Sequence, residues 1–256
     1  MVKDKKWALI IGGSQGLGLA SAEQLAKDGF HLIILHRDFR TELEKIQNGF
    51  DKLRKHDIEV LDFNKDALKP ETISEVFQLI KSKNIKIKVL LHSIAKGNLK
   101  MLTGDNAMTL NDYQQTIHAM GLNFFEWSKA LVDSGQYAKH AKLLAFTSEG
   151  NRRAGFGYGA VSSAKATLEA IMRQMALEFA PLDITSNCIQ AGVTLTKSFQ
   201  KIPNAEQIEQ HTEKRNPFNR LTAPEYVAKV VSLLADDKAN WINGCVIPVD
   251  GGERLR

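Results

Sequence analysis

The chain has 256 residues, 43% of them hydrophobic and 25% charged, and a formal net charge of +5. This length can bury a substantial core, and the mild basic excess lacks the dense clusters expected of a nucleic-acid-binding protein. The apolar run at 7–11 is too short for a signal peptide, and no later run reaches the length of a membrane span. We therefore expect a cytoplasmic protein that does not bind nucleic acid and has no membrane span.

Short apolar runs alternate with segments of helical period along the whole chain. The apolar runs predict strands at 7–11, 31–35, 59–61, 87–91, 142–146, 184–189 and 245–249. The helical periods predict helices over 17–28, 40–55, 71–83, 109–134, 158–179 and 225–236. Continuously apolar strands separated by helices are typical of a parallel sheet covered on both faces. The sequence therefore predicts one α/β domain over 1–256, with a doubly wound, Rossmann-type sheet of about seven strands.

A glycine-rich turn follows the first predicted strand and opens the first predicted helix, with the sequence Gly12-Gly-Ser-Gln-Gly16-Leu-Gly18. Glycines allow a tight turn and close backbone approach, while the helix N-terminus offers free N–H groups and a positive dipole end to a pyrophosphate. This order of elements predicts a dinucleotide cofactor. The turn residues expected to contact it are Gly12, Ser14, Gln15, Gly16, Leu17 and Gly18.

The end of the second predicted strand, Leu35-His36-Arg37, bears on which dinucleotide binds. An acidic residue there would hydrogen-bond the ribose 2′-hydroxyl, whereas a cation accommodates a 2′-phosphate. His36 is not a carboxylate, and Arg37 can donate two parallel hydrogen bonds to a phosphate, with Arg40 near enough to help. The pattern favours NADPH over NADH. A solvated loop arginine is the alternative interpretation.

The spacing of the glycine turn, G-x-x-x-G-x-G, resembles that of the short-chain dehydrogenase/reductase family, and the likeness extends over nearly the whole chain. Asp62-Phe63 resembles the adenine side of that family's cofactor site, and the stretch from Asn187 to Thr196 resembles its nicotinamide-side turn. The ending Val-Asp250-Gly-Gly252 resembles its C-terminal pattern. The resemblance implies further cofactor contacts from Asp62, Phe63, Gly192, Val193, Thr194 and Thr196.

Tyr158 and Lys165 lie seven residues apart at the start of a predicted helix. At about 3.6 residues per turn, they would share one helix face roughly 10 Å apart along the axis. A cation near a phenol lowers the free energy of the phenolate, so the pair predicts a proton donor. Taken alone, such a pair is also common on solvated helix surfaces.

The family resemblance gives this pair a more specific meaning. Ordinary reducing members carry the Tyr four residues before the Lys, where this chain has Val161, and a relay Asn that would fall near Met120. Tyr-x6-Lys is instead typical of enoyl-acyl carrier protein reductases, which the stretch His92-Ser-Ile-Ala-Lys-Gly97 also resembles. The resemblance implies catalytic roles for Tyr158, Lys165 and Ser148, and cofactor contacts from Ser93, Ile94, Ala95 and Lys165.

The displaced phenol also has a chemical reason. Hydride addition to C3 of an enoyl thioester leaves the negative charge on an oxygen two bonds further away, so the donor must lie further out than in carbonyl reduction. We therefore predict an NADPH-dependent enoyl reductase of fatty-acid synthesis, acting on an acyl thioester carried by acyl carrier protein, as a homotetramer or dimer. One alternative is a 3-oxoacyl thioester or other carbonyl reductase of the same family. Another is a non-catalytic NADP(H)-binding sensor or scaffold.

The polar stretch 196–222 contains two prolines and a short helical pattern at about 204–215, which predicts a mobile flap over the substrate. Six basic residues could form a lip that receives an acidic carrier protein or could equally be solvated: Arg152, Arg153, Lys197, Lys201, Arg215 and Arg220. The two cysteines, Cys188 and Cys245, lie in apolar segments without metal-ligand spacing. They predict buried, unreactive thiols and no metal site.

Overall fold

The computed structural model describes residues 5–197, 199–202 and 204–256, with Lys201 as backbone only. Seven strands pair in parallel in the order β3-β2-β1-β4-β5-β6-β7, which confirms the predicted sheet. The strands are β1 (Trp7–Ile11), β2 (His31–His36), β3 (Val60–Asn64), β4 (Ile87–His92), β5 (Tyr137–Thr147), β6 (Thr185–Ala191) and β7 (Val246–Val249). The α-helices are α1 (Gly16–Lys27), α2 (Leu43–Arg54), α3 (Pro70–Ser82), α4 (Leu110–Ile117), α5 (Asn123–Ser134), α6 (Gly159–Glu178), α7 (Ala205–Arg215) and α8 (Pro224–Ala235).

Helices cover both faces of the sheet, and an apolar cluster lies on each side. On one side, side chains of α3, α5 and α6 pack against the strands around the fully buried Trp127 and Phe124. On the other side, α1, α2 and α8 pack against the strands around Phe50 and Val231. All five residues of β1 are buried, as expected of a central strand covered on both faces.

The structure differs from the predicted elements in a few places. The helix predicted over 109–134 is interrupted by a π-helical turn, His118–Leu122, which separates α4 from α5. Residues Arg40–Glu42 form a 3₁₀ turn before α2, and β5 begins well before the predicted residue 142. Cys245 is exposed, which corrects the expectation that both thiols are buried, whereas Cys188 is buried.

The fold brings the predicted motifs to one edge. In parallel strands all carboxyl ends meet at the same side of the sheet, and ligands bind where the strand order reverses. Here that point lies between β1 and β4, and the glycine-rich turn directly follows β1 there. Within the described residues, no helix combines the length and the apolar character needed to cross a bilayer.

Candidate active site

An open cleft of about 450 Å³ lies at the carboxyl ends of β1, β2 and β4. Phe146 and Lys165 also line it, on the side towards β5 and α6. The cleft brings together most of the predicted cofactor residues, namely Gly12, Ser14, Gln15, Gly16, Leu17, Arg37, Ser93, Ile94, Ala95, Lys165 and Thr196. Ser148 and Tyr158 are not part of this lining as far as the structure describes it.

The glycine turn leaves no room for side chains. Gly12 has a φ of +92°, and a Cβ atom there would lie 2.8 Å from the Ser93 carbonyl oxygen. A Cβ atom on Gly18 would lie 2.0 Å from the carbonyl oxygen of Gly12. Because Gly12 and Gly18 have no Cβ atom, the turn can lie close to the end of β4. Helix α1 begins at Gly16, with its free N–H groups near the cleft. The turn therefore forms a cradle suited to a pyrophosphate.

The end of β2 carries both an arginine and a carboxylate. The Arg37 side chain is 58% exposed and donates a hydrogen bond to Asp66, and both residues line the cleft. Asp38, which the sequence interpretation overlooked, also lines the cleft, but its carboxylate lies 2.9 Å from Nδ1 of His36 and is only 6% exposed. The more accessible charge at this end is thus the guanidinium. Asp38 directly follows Arg37 in the sequence, so its carboxylate was visible there.

Gly18 does not line the cleft in the described structure, and neither do five other residues expected to contact the cofactor: Asp62, Phe63, Gly192, Val193 and Thr194. Asp62 accepts hydrogen bonds from Gln47 and Arg54, with donor–acceptor distances of 2.8 and 3.3 Å. Phe63 packs against the core. The Val193 N–H donates to Glu253 Oε1 at 3.0 Å. Cofactor contact by Gly18 and these five residues stays a prediction.

Tyr158 immediately precedes α6, which begins at Gly159. Tyr158 has φ −100° and ψ 4° and is the residue directly before the helix, so the expectation that it shares one helix face with Lys165 stays a prediction. Its hydroxyl lies 3.4 Å from Ser148 Oγ. Its ring lies against Gly150, where a Cβ atom would be 2.4 Å from Tyr158 Cε1. The segment 148–150 thus forms the seat of the phenol.

The phenol and the ammonium have separate environments. Burial raises the pKa of Tyr158, an effect that the hydrogen bond with Ser148 reduces. Lys165 Nζ donates to the Phe146 carbonyl oxygen at 2.7 Å, and burial lowers its pKa to about 8, while Cys188 and Glu169 act in the opposite direction. The expected lowering of the phenol pKa by Lys165 is not observed among the described residues. Tyr158 is therefore a protonated hydrogen-bond donor at neutral pH.

Arg215 contacts the segment 148–150, which forms the seat of the phenol. Arg215, at the end of α7, is only 9% exposed, and its Nη2 lies 2.7 Å from Glu149 Oε1 and 3.7 Å from Glu253 Oε1. This corrects the interpretation of Arg215 as a lip residue or a solvated charge. Of the other five bases considered for the lip, four are exposed, and the Lys201 side chain lies outside the described residues: Arg152, Arg153, Lys197, Arg220 and Lys201.

Comparisons with known proteins agree with this geometry. Residues 12–253 match the family model described as Enoyl-(Acyl carrier protein) reductase. The chain belongs to the short-chain dehydrogenase/reductase family. It is 25% identical over 252 residues to the NADPH-dependent aldehyde reductase-like protein, chloroplastic, of Arabidopsis thaliana, covering 96% of this chain and 93% of the relative. It is 26% identical over 258 residues to a probable 2,4-dienoyl-CoA reductase [(2E)-enoyl-CoA-producing] of Bacillus subtilis, covering 98% of each.

The solved structure of an enoyl-[acyl-carrier-protein] reductase (NADH) from Aquifex aeolicus VF5 shares the fold of this reductase. It superposes with a TM-score of 0.87 at 20% identity, over 100% of this chain and 98% of that chain. The family match and the named relatives make the protein an NAD(P)H-dependent oxidoreductase. The tight turn at Gly12 and Gly18, where an added Cβ would collide with neighbouring backbone, lies beside the N-terminus of α1 and fits the pyrophosphate of a nicotinamide cofactor. No cluster of metal-ligating side chains occurs in the part of the chain that is described.

This short-chain reductase is apolar where ordinary members carry the Tyr and the relay Asn. Val161 and Met120 are buried in one small cluster, and a Cβ atom on Gly97 would lie 2.6 Å from Val161 and 3.1 Å from Met120 Sδ. Met120 lies in the π-helical turn between α4 and α5. Neither side chain can carry a proton. The hydroxyl groups of Tyr158 and Ser148, which lie 3.4 Å apart, are therefore the candidate proton donors of this arrangement.

The two histidines near the site have other partners. His92 is buried, with Nε2 3.3 Å from Asn123 Oδ1. Burial, and then the positive charge of Lys165, lower the pKa of His92 to about 3, so its ring is neutral at physiological pH. His118 Nε2 lies 2.9 Å from Glu126 Oε1 on the following helix. Both imidazole rings therefore have partners other than Tyr158 and Ser148.

Proposed function

We propose that this reductase uses NADPH to reduce the 2,3 double bond of an enoyl thioester. The observation that carries the proposal is the position of the Tyr158 phenol: the residue precedes α6 and is paired with Ser148, while Val161 is apolar. A donor moved away from the usual position matches a reaction in which charge collects away from the carbon that accepts hydride.

NADPH, when bound, supplies hydride to C3 of the substrate. The electrons of the double bond then move towards the thioester carbonyl, so negative charge collects on its oxygen and an enolate forms. Tyr158 donates a hydrogen bond to that oxygen, which the raised pKa of the phenol favours because the group stays protonated at neutral pH. Lys165 holds the nicotinamide ribose. A proton added at C2 completes the saturated thioester.

Two further features support the choice of NADPH and of the thioester. Arg37 is the accessible cation at the end of β2, where a 2′-phosphate would lie, and the Asp38 carboxylate beside it is engaged by His36. The name of the Bacillus subtilis relative describes double-bond reduction in a coenzyme A thioester. We extend the proposal to an acyl carrier protein substrate, a homo-oligomer and a cytoplasmic location, as the sequence predicts.

Carbonyl reduction is the second candidate, because the Arabidopsis thaliana relative is named as an aldehyde reductase. Following NADPH consumption with crotonyl and acetoacetyl thioesters side by side separates the two. We expect crotonyl thioester to be reduced and acetoacetyl thioester to be reduced at least about tenfold more slowly. Ready reduction of acetoacetyl thioester without any reduction of crotonyl thioester would replace the first candidate by the second. Tight NADPH binding without turnover of either would favour a non-catalytic role.

A further inference from the structure

Tyr158 receives only part of its position from α6. Its carbonyl oxygen accepts the first helical hydrogen bond, from the Ser162 N–H at 2.8 Å, and its side chain packs against the small apolar cluster around Val161. The Ser148 hydroxyl lies 3.4 Å from the phenol oxygen, and the ring lies against the backbone of Gly150. The accuracy with which the phenol meets a substrate therefore depends on what holds the segment 148–150.

Arg215 holds that segment from outside. It reaches from the last turn of α7, distant in sequence, to Glu149, which stands between Ser148 and Gly150. The contact is short, at 2.7 Å, and the guanidinium is 9% exposed, so solvent screens it little. Arg153 also approaches Glu149, at 3.4 Å, but from an exposed position where an ion pair contributes little.

The same guanidinium faces the nicotinamide-side turn. Glu253 Oε1 lies 3.7 Å from Arg215 Nη2 and accepts the Val193 N–H at 3.0 Å. The Glu253 side chain is 2% exposed, and its Oε2 would lie 2.8 Å from a Cβ atom on Gly192, so there is little free space in which the carboxylate could move. Arg215 thus lies between two carboxylates, one in the seat of the phenol and one against the cofactor turn.

We propose that Arg215 is a positioning residue that sets the phenol of Tyr158 in register with the nicotinamide-side turn. Through Glu149 it fixes the segment 148–150, and through Glu253 it fixes the turn at Gly192-Val193. The inference rests on the proposed function in one respect, because it assigns the donor role to Tyr158. Removing a partner from a buried ion pair leaves an uncompensated charge, so both carboxylates would shift when Arg215 is neutralised.

The experiment compares four variants: Arg215→Gln, Arg215→Lys, Glu149→Gln and, as a matched control, Arg173→Gln. Arg173 is an exposed arginine on α6. For each variant, kcat is measured with the better of crotonyl and acetoacetyl coenzyme A and is expressed per NADPH-binding site. The NADPH dissociation constant is measured by titration, and the melting temperature identifies any variant that is not folded.

We expect Arg215→Gln to lower kcat by roughly tenfold to a hundredfold, because a small displacement of a catalytic group has effects of that size. It should also weaken NADPH binding about tenfold through Glu253. Glu149→Gln should lower kcat about tenfold and leave NADPH binding within about twofold, since it touches only the phenol's seat. Arg215→Lys should recover part of kcat, and Arg173→Gln should behave like the unmodified protein.

Three results would overturn the inference. The first is a folded Arg215→Gln protein with unchanged kcat per site. The second is a Glu149→Gln protein that keeps full kcat or loses kcat and NADPH affinity in equal proportion, as a general loss of structure would produce. The third is no recovery by Arg215→Lys. If the unmodified protein reduces neither substrate, the proposed function fails. The inference is then decided by NADPH affinity, which Arg215→Gln should weaken and Glu149→Gln should not.

Discussion

The predicted cofactor end and the predicted substrate end of the site are formed by different kinds of atoms. At the cofactor end, backbone atoms of neighbouring residues make the site, and the contacts at Gly12 and Gly18 allow no side chain. At the substrate end, side chains from separate parts of the chain make the site: Ser148 and Tyr158 pair with each other, and Arg215 approaches from α7.

This difference has a chemical consequence. Backbone geometry at the cofactor end can be changed only by moving the chain, so the binding of a pyrophosphate is set by the fold itself. At the substrate end, by contrast, substitution of one residue and a new loop contact can move the hydrogen-bond donor to another position in the chain. In this reductase Val161 is buried and apolar, and the phenol has its own seat before the helix. We therefore expect specificity to depend on the substrate end.

The largest effect that we expect comes from removing the phenol. Tyr158→Phe should lower kcat for an enoyl thioester by roughly 10²–10³, because the variant loses a donor that acts on charge formed in the transition state. NADPH affinity should stay within about twofold. Steady-state kinetics and NADPH titration measure the two quantities. Tyr137→Phe, at the opposite end of β5, is the matched control and should leave both unchanged.

The lysine should behave differently from the phenol. If Lys165 holds the nicotinamide ribose, Lys165→Ala should weaken NADPH binding and lower kcat together, whereas Tyr158→Phe lowers kcat alone. The same titration and kinetics measure both. An unchanged NADPH affinity in Lys165→Ala would remove the lysine from the cofactor site.

The next largest effect should come from adding a methyl group in the glycine turn, which we expect to weaken NADPH binding. Gly18→Ala places a Cβ atom 2.0 Å from the Gly12 carbonyl oxygen, so the turn must open. Overpacking of this kind costs on the order of 1–3 kcal/mol, and we expect NADPH affinity to fall by roughly ten- to a hundredfold.

Gly49→Ala is the matched control for that variant. Gly49 lies inside α2 with nothing within 4 Å of an added Cβ. It should bind NADPH normally and unfold with a free energy about 0.5–1 kcal/mol higher, since alanine favours a helix over glycine. Normal NADPH binding by Gly18→Ala would contradict the assignment of the turn.

Cofactor choice depends on a single exposed side chain, so a change there should affect mainly the cofactor that carries a 2′-phosphate. Arg37→Asp should weaken NADPH binding by roughly ten- to a hundredfold and NADH binding much less, because only NADPH carries the 2′-phosphate. Arg54→Gln, which lies on α2 against Asp62, tests whether any arginine nearby has this effect and should not change the preference. Equal affinities of the unmodified protein for the two cofactors would refute the assignment.

The smallest expected effect concerns the predicted flap. Arg215 and the buried Thr212 anchor the end of α7, so we expect NADP(H) with an acyl ligand to slow amide exchange at the start of that helix, at 205–211, and to change it little at 212–216. Hydrogen-exchange mass spectrometry resolves the two peptides. A uniform change over both would mean that α7 moves as a whole.

The difference between local backbone structure and contacts distant in sequence also explains what the sequence could and could not predict. Apolar strands and the glycine turn depend on local composition, so all seven strands were predicted with boundaries close to those of the structure, apart from the end of β3 and the start of β5. The seat of Tyr158 depends on contacts between segments distant in sequence. Arg215 resembles a solvated base in the sequence, and only folding reveals that Glu149 and Glu253 flank it.

The most direct test of the account is the fate of the transferred hydride. Crotonyl coenzyme A is incubated with NADPH that carries deuterium at the transferred position, and the product is examined by NMR and mass spectrometry. We predict butyryl coenzyme A with one deuterium at C3, since Tyr158 stabilises charge on the oxygen while C3 accepts the hydride. A product without deuterium at C3, or turnover of acetoacetyl coenzyme A alone with deuterium beside a new hydroxyl group, would contradict the account.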